Sequence, residues 1–377
     1  MSSLYIHIPF CAHACPYCDF SFELLNGELV KRYLETLVIE IERRREEYPW
    51  CDTKFETLFF GGGTPTVLTP ERLKEIFGII RASFSIVSDA EITMEANPET
   101  LTDAKLGTLG ELGVNRLSVG VQAFTEASLK RLGRHHSVER AVRAVSQVRA
   151  SGISNLNLDL IYAAPEQTTA DWEETLDRTI DLQPDHLSAY GLTIEEGTPF
   201  GKAWSTGMLM VPVEEVQADL YTRTIERLTA QAYHHYEVSN FAKTGAVCRH
   251  NLGYWSGSDY LGLGPSAHSH FQGRRFANTK RLESYIQLTN ERGNALDLDE
   301  KLSADQQAGE TIMLGLRMIE GLDLDAFTGR FGSEAYRVRQ PVITSLTAAG
   351  FLEQSPRFLR LTRKGLTVAD TVCAELM

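Results

Sequence analysis

The chain has 377 residues, with 37 basic against 50 acidic side chains, a formal charge of −13 and a sequence pI near 5.3. Apolar residues at 43% and charged ones at 23% describe an ordinary globular protein, long enough for one barrel-sized domain and a smaller one. The acidic balance argues against a protein that lives on a nucleic-acid backbone, and no apolar run reaches the roughly 18 residues of a membrane helix.

The opening Met1-Ser2-Ser3-Leu4-Tyr5-Ile6-His7 has neither a charged nor an apolar leader region. No signal peptide is expected, and the expected compartment is the cytoplasm. Over the first 200 residues a short β-rich run, a turn and a helical pattern recur. Strands are predicted at 4–8, 57–60, 91–96, 116–121, 157–161 and 186–190. Between the first two, Val30, Tyr33, Leu34, Leu37, Val38 and Ile41 follow the i, i+3, i+4 rhythm of a helix. Thr69 before Pro70, Ser137 before Val138, and Thr168 ahead of Asp171 mark helix starts. Strands alternating with helices imply parallel crossovers, hence an α/β fold with a partial (β/α)6 barrel over 1–200. Chemistry is expected at the C-terminal strand ends.

From 201 to 300 the rhythm is lost, and an irregular α+β annex packed on the barrel is expected. From 301 to 377 helices lead into a hairpin turned at Ser355-Pro356, as in a small winged-helix-like domain. In so acidic a chain, a docking or lid role suits that domain better than DNA binding.

Three of the six cysteines, Cys11, Cys15 and Cys18, stand within eight residues; Cys51, Cys248 and Cys373 are scattered. In a reducing compartment a tight cluster reads as a metal or redox site. A structural zinc site wants four ligands, usually as two CxxC pairs, and no second pair exists; a Cys3His site using His7 or His13 stays open. A [4Fe–4S] cluster held by three thiolates leaves one iron open to a ligand. The C-x3-C-x2-C loop directly after a first strand resembles the radical S-adenosylmethionine (SAM) superfamily. The resemblance implies that the open iron takes the amino and carboxylate groups of SAM, and that an electron from the reduced cluster can then cleave the sulfonium.

Several strand-end residues agree with this: Gly61-Gly62-Gly63-Thr64-Pro65, Glu95, Gln122, Asp159 and Arg134. Tyr5 through Cys11, the Gly-Gly-Gly-Thr-Pro turn, 118–122 and Asp159-Leu160-Ile161-Tyr162 resemble the coproporphyrinogen dehydrogenase-like branch over nearly the whole chain. That resemblance implies SAM contacts from Tyr5, Gly62, Gly63, Thr64, Glu95, Gln122, Arg134 and Asp159, with Tyr17 beside them. Within the branch, the oxygen-independent coproporphyrinogen III dehydrogenases carry a further Cys two residues after the third. Phe20 stands there in this chain, and His250-Asn251-Leu252-Gly253-Tyr254-Trp255 resembles the branch's heme-chaperone family.

A neutral imidazole is a common heme ligand, so His250 is the expected heme contact, with Tyr254 and Trp255 over a porphyrin face. The alternative is a hydrogen-bonded structural histidine, with the ligand sought among His135, His136, His234, His235, His268 and His270. One departure is Ala163-Ala164-Pro165-Glu166, where the family has Gly-Leu-Pro-Gly, which opens the shape of the loop after the fifth strand to question. Two functions remain open. One is a chaperone delivering heme to acceptor hemoproteins, membrane respiratory enzymes included, as a homodimer or at the membrane periphery. The other is an enzyme decarboxylating coproporphyrinogen III.

Overall fold

The computed structural model describes residues 1–47, 50 and 52–377; Cys51, one of the three scattered cysteines, lies outside the described residues. Each expected barrel strand falls inside an observed one: β1 (Ser2–Ile8), β2 (Lys54–Gly62), β3 (Ser85–Ala96), β4 (Arg116–Gln122), β5 (Asn155–Tyr162) and β6 (His186–Gly191). They pair in parallel in chain order. The intervening helices start where their caps predict. Thr69 accepts the Arg72 amide and Ser137 that of Arg140, while Thr168 and Asp171 exchange reciprocal bonds.

The annex differs from the expectation of an irregular layer packed on the barrel. Its strands are β7 (His234–Glu237), β8 (Asn240–Ala242), β9 (Asp259–Leu263), β10 (His268–Phe271), β11 (Arg274–Asn278) and β12 (Leu296–Lys301). They extend both edges of the barrel sheet, giving twelve strands in the order β12-β11-β10-β9-β1-β2-β3-β4-β5-β6-β8-β7. β9 runs parallel to β1, so seven consecutive strands are parallel. Open edges of a partial barrel present unpaired backbone groups, and the annex strands satisfy them.

A buried carboxylate locks one extension in place. Glu40, on the helix Gly27–Glu47, accepts from the Gly264 amide at 2.8 Å, Asn278 Nδ2 at 2.5 Å and the Tyr285 hydroxyl at 2.7 Å. Arg44, equally buried, lies 3.7 Å from it. A buried charge is tolerated only when paired and hydrogen-bonded in this way.

The C-terminal region opens with the helix Ala304–Arg317. Three short strands follow in the order Leu322–Asp323, Phe358–Leu361, Leu352–Gln354, and the chain ends in the helix Ala369–Leu376. The first helix packs on the annex helix Arg249–Trp255, where Arg317 lies over the Trp255 ring at 4.7 Å. No helix among the described residues is long and apolar enough to cross a membrane.

Candidate functional site

The cysteine loop leaves β1 at the C-terminal mouth of the barrel. Its base is clamped by Phe10–Cys11 pairing with Glu23–Leu24, and by the Leu25 amide bonded to the Cys11 carbonyl. His7 secures the far end: its Nε2 donates to the Ser21 carbonyl at 2.8 Å, which leaves Nδ1 to accept from the Tyr5 hydroxyl at 3.1 Å. Burial lowers the His7 pKa to about 4, so the ring is neutral with both nitrogens engaged. His7 is therefore not a fourth metal ligand. His13 is exposed and stacks on His135, ring centroids 4.0 Å apart.

Cys11, Cys15 and Cys18 line one cavity of about 410 Å³ with Tyr17, Gly62, Gly63, Thr64, Glu95, Gln122, Arg134 and Asp159. Among the described residues no three His, Cys, Asp or Glu side chains converge as ligands of a single metal ion. A set of three thiolates fits a cubane, which takes each on a different iron, better than tetrahedral zinc, which wants four ligands. Burial pushes the Cys11 thiol up to about 11, so iron binding must displace its proton.

A hydrogen-bonded chain joins the loop to the strand ends. Cys11 Sγ lies 3.7 Å from Thr64 Oγ1, which accepts from Asn97 Nδ2 at 3.1 Å. Asn97 Oδ1 accepts from Arg134 Nη2 at 2.7 Å, and Arg134 Nη1 reaches Cys15 Sγ at 3.3 Å and the Tyr17 hydroxyl at 3.4 Å. Sequence reasoning missed Asn97, although it follows β3 two residues after Glu95 and the same strand-end rule finds it. Gln122 adopts a left-handed backbone, φ 65°, where the register between β4 and β5 shifts. Strain of this kind gathers at functional sites. The Gly62, Gly63 and Thr64 amides are all engaged, by Glu95 Oε2, the Ile8 carbonyl and the Phe10 carbonyl. The Thr64 carbonyl in turn accepts the Val67 amide at 2.8 Å.

Glu95 and Asp159 face the deep end of the cavity. Asp159 accepts from Ser118 and Asn157 at 2.9 and 2.8 Å; burial raises its pKa against these bonds. Burial, then the nearby Asp159 charge, push Glu95 up to about 8. Since its unfolded counterpart titrates near 4.5, the folded state holds the extra proton between about 4.5 and 8. Stability therefore falls as pH rises through that window. Affinity for the cationic SAM should rise over the upper part of it, as Glu95 ionises. Isothermal titration at pH 6.5 and 9 checks this, and Glu95→Gln should flatten the difference. A steep rise that persists in Glu95→Gln would assign the titration elsewhere.

The remaining expected residues lie deeper. Tyr5 and His250 line a second cavity of about 240 Å³ inside the barrel, which shares Glu95, Asp159 and Tyr190 with the first. His250 is 1% exposed; its Nδ1 lies 2.7 Å from Thr57 Oγ1 and its Nε2 2.9 Å from the Tyr254 hydroxyl. Burial lowers its pKa to about 3. As placed, His250 is the hydrogen-bonded structural histidine, with no nitrogen free for iron. Glu91 accepts the Arg249 and His250 amides and so caps this short helix. His136 bonds to the Val121 carbonyl, and His235 stacks on Phe241. After β5, Ala163 and Glu166 keep positive φ of 59° and 55° at the two positions where the family has glycine. Both residues hold a left-handed backbone, against a penalty of roughly 1 kcal/mol per residue.

Residues 5–179 match the profile of the Radical SAM superfamily, and residues 302–368 that of the HemN C-terminal domain. The chain is 35% identical to a Bacillus subtilis (strain 168) protein named Heme chaperone HemW, over 99% of this chain and 98% of that one. It is also 35% identical to the Escherichia coli (strain K12) protein of the same name, over 96% and 94%. A solved Escherichia coli structure, described as coproporphyrinogen III oxidase (HemN), a radical SAM enzyme, superposes with a TM-score of 0.87 at 26% identity. It covers 100% of this chain and 89% of that one. With its cysteine loop, strand-end polar residues and full-length likeness to these relatives, the chain belongs to the heme chaperone HemW family of the radical SAM superfamily.

Proposed function

We propose that the chain binds heme and delivers it to acceptor hemoproteins, with a SAM-bound [4Fe–4S] cluster governing the transfer. The near full-length identity to proteins named heme chaperones carries this reading. Cys11, Cys15 and Cys18 would each hold one iron. The Glu95 and Asp159 carboxylates would face the positive charge of SAM, while Arg134, through Asn97 and Tyr17, positions the loop. Gln122, Thr64 and the Gly62 and Gly63 carbonyls would line the remainder, with Tyr5 supporting the site from below through His7. A bound, reduced cluster would be able to supply an electron to the sulfonium. Membrane respiratory enzymes are the proposed acceptors and a homodimer the proposed assembly. The proposed place of work is the cytoplasm, peripherally at the membrane. The proposed division of the chain is barrel to 200, annex to 300 and C-terminal domain beyond.

The likeness to the HemN structure favours a second reading, oxidative decarboxylation of coproporphyrinogen III. Phe20 counts against it: the side chain is 63% exposed at the rim of the cluster cavity, where the decarboxylating family carries a cysteine. Reconstituted protein given SAM, dithionite and coproporphyrinogen III under anaerobic conditions should yield no protoporphyrinogen IX. In parallel it should pass bound heme to an apo-hemoprotein. Turnover of the porphyrinogen would replace the chaperone reading with the enzyme.

A further inference from the structure

A third cavity, of about 460 Å³, lies on the outer side of the barrel, between β9, β10 and the helix Ala304–Arg317. Tyr5 and Tyr254 line both this cavity and the inner one, forming the wall between them. The family motif is thus divided by its own helix. His250 points inward to Thr57, while Tyr254 and Trp255, one turn later, line the outer space with Tyr260, Met313 and Leu314. The aromatic rings run on from one to the next: Tyr254 meets Tyr260 edge-on at 4.6 Å, and Tyr260 lies 6.3 Å from His270.

We propose that this outer cavity is the heme cradle and that His270 would supply the nitrogen that holds the iron, with Asp259 beside its other ring nitrogen. The proposal rests on the heme-chaperone reading and names the site within it. His270 Nδ1 stands 3.3 Å from Asp259 Oδ1, an oxygen that also accepts the Gln272 amide at 2.9 Å. Nδ1 is buried and has no hydrogen-bond partner at this geometry; a small ring rotation would let it donate to Asp259, the arrangement by which metal-bound histidines fix their tautomer and present Nε2. Among the described residues, Nε2 of His270 has no hydrogen-bond partner. His268, on the same strand, lacks such a carboxylate. The cavity volume suits a small-molecule site lined mainly by apolar and aromatic groups.

Charge fits one propionate. Arg275 is neutralised by Glu300, at 2.6 Å, and by Glu310. Arg330 lines the cavity with its guanidinium over Phe331; its charge acts on Asp259, with no direct ion pair to a carboxylate among the described residues. Tyr254, hydrogen-bonded to His250, connects this cradle to the cavity that Glu95 and Asp159 share with the cluster site. A ligand in the outer cavity therefore lies one side chain away from the barrel interior.

The test is titration of the full chain with hemin under anaerobic conditions, followed by absorbance, with circular dichroism as the check on folding. Wild type should give saturable binding with a histidine-ligated spectrum. His270→Ala should weaken binding at least tenfold and change the spectrum, and added imidazole should restore it. Asp259→Asn should weaken binding about tenfold, the usual scale for a ligand's carboxylate partner. Leu314→Trp, which fills the cavity without touching a ligand, should also reduce binding; His234→Ala, outside it, should not. Unchanged spectrum and affinity in folded His270→Ala would overturn the proposal and leave the heme reading standing. Loss on His250→Ala alone would move the site into the barrel. Absence of hemin binding by wild type would overturn both.

Discussion

Replacing any one of Cys11, Cys15 and Cys18 by serine should abolish the SAM-responsive iron–sulfur EPR signal of the reconstituted protein. The same change at Cys248 or Cys373 should leave it intact. The three loop thiols line the same cavity as the proposed SAM residues, and their loop is clamped at its base by the Phe10–Cys11 ladder. A hydroxyl at one corner removes a soft anionic donor from a cluster that has only three protein ligands. The other two cysteines serve the fold. Cys248 is buried with its Sγ 3.6 Å from Glu91, and Cys373 packs under the C-terminal domain, its Sγ 3.8 Å from the Met313 carbonyl. Four-coordinate zinc and no iron after anaerobic preparation would sink this assignment, as would a persistent signal in the Cys15→Ser protein.

The second large effect is expected at Gly63, and its cause is steric. A Cβ there would stand 2.5 Å from the Phe10 carbonyl oxygen and 2.8 and 2.9 Å from the Phe10 carbon and nitrogen. All three are backbone atoms of a residue with 0% exposure, and the Thr64 amide bonds to that same oxygen at 2.7 Å. Relief must therefore move the chain at Pro9–Cys11, the base of the cluster loop. Overpacking of this kind costs about 1–3 kcal/mol. Gly63→Ala should accordingly lower Tm by several degrees and reduce cluster loading. Gly78→Ala is the control. It lies in the exposed middle of the helix Pro70–Ser83 with nothing within 4 Å, so stability should rise by about 0.5–1 kcal/mol. Calorimetry and iron content measure both, and equal stability and loading in the two variants would refute the steric argument.

Much of the barrel was legible in the sequence because its signals are local. Thr69, Ser137 and Thr168 cap helices through amides three residues away, and the apolar rhythm of 30–41 became a buried helix face. The cluster loop was equally plain, since all three thiols lie within eight residues and need no distant partner to be recognised. Glu95, Gln122 and Asp159 were legible by their places along strands, because parallel strands in chain order carry such positions to one mouth. Asn97 follows the same rule and was overlooked.

By itself, the sequence determined the helix over 30–41 and those starting at Thr69, Ser137 and Thr168, the six core strands and the chemistry of the loop after β1, each set by spacing within a few tens of residues. Only the tertiary structure decided where the annex goes. β9 pairs with β1 across more than 250 residues, and Glu40 meets Gly264, Asn278 and Tyr285 from the opposite end of the chain. It also decided what His250 does. The motif places His250, Tyr254 and Trp255 on one short helix, yet Thr57, 193 residues away, turns the imidazole inward, while Tyr254 stands in the wall between the two cavities and Trp255 lines the outer one. Asp259 and His270, eleven residues apart, meet only because β9 and β10 run antiparallel with Tyr260 opposite His270. Contacts of this range carry no periodic signature, since which strands become neighbours is settled by burial and backbone pairing over the whole sheet.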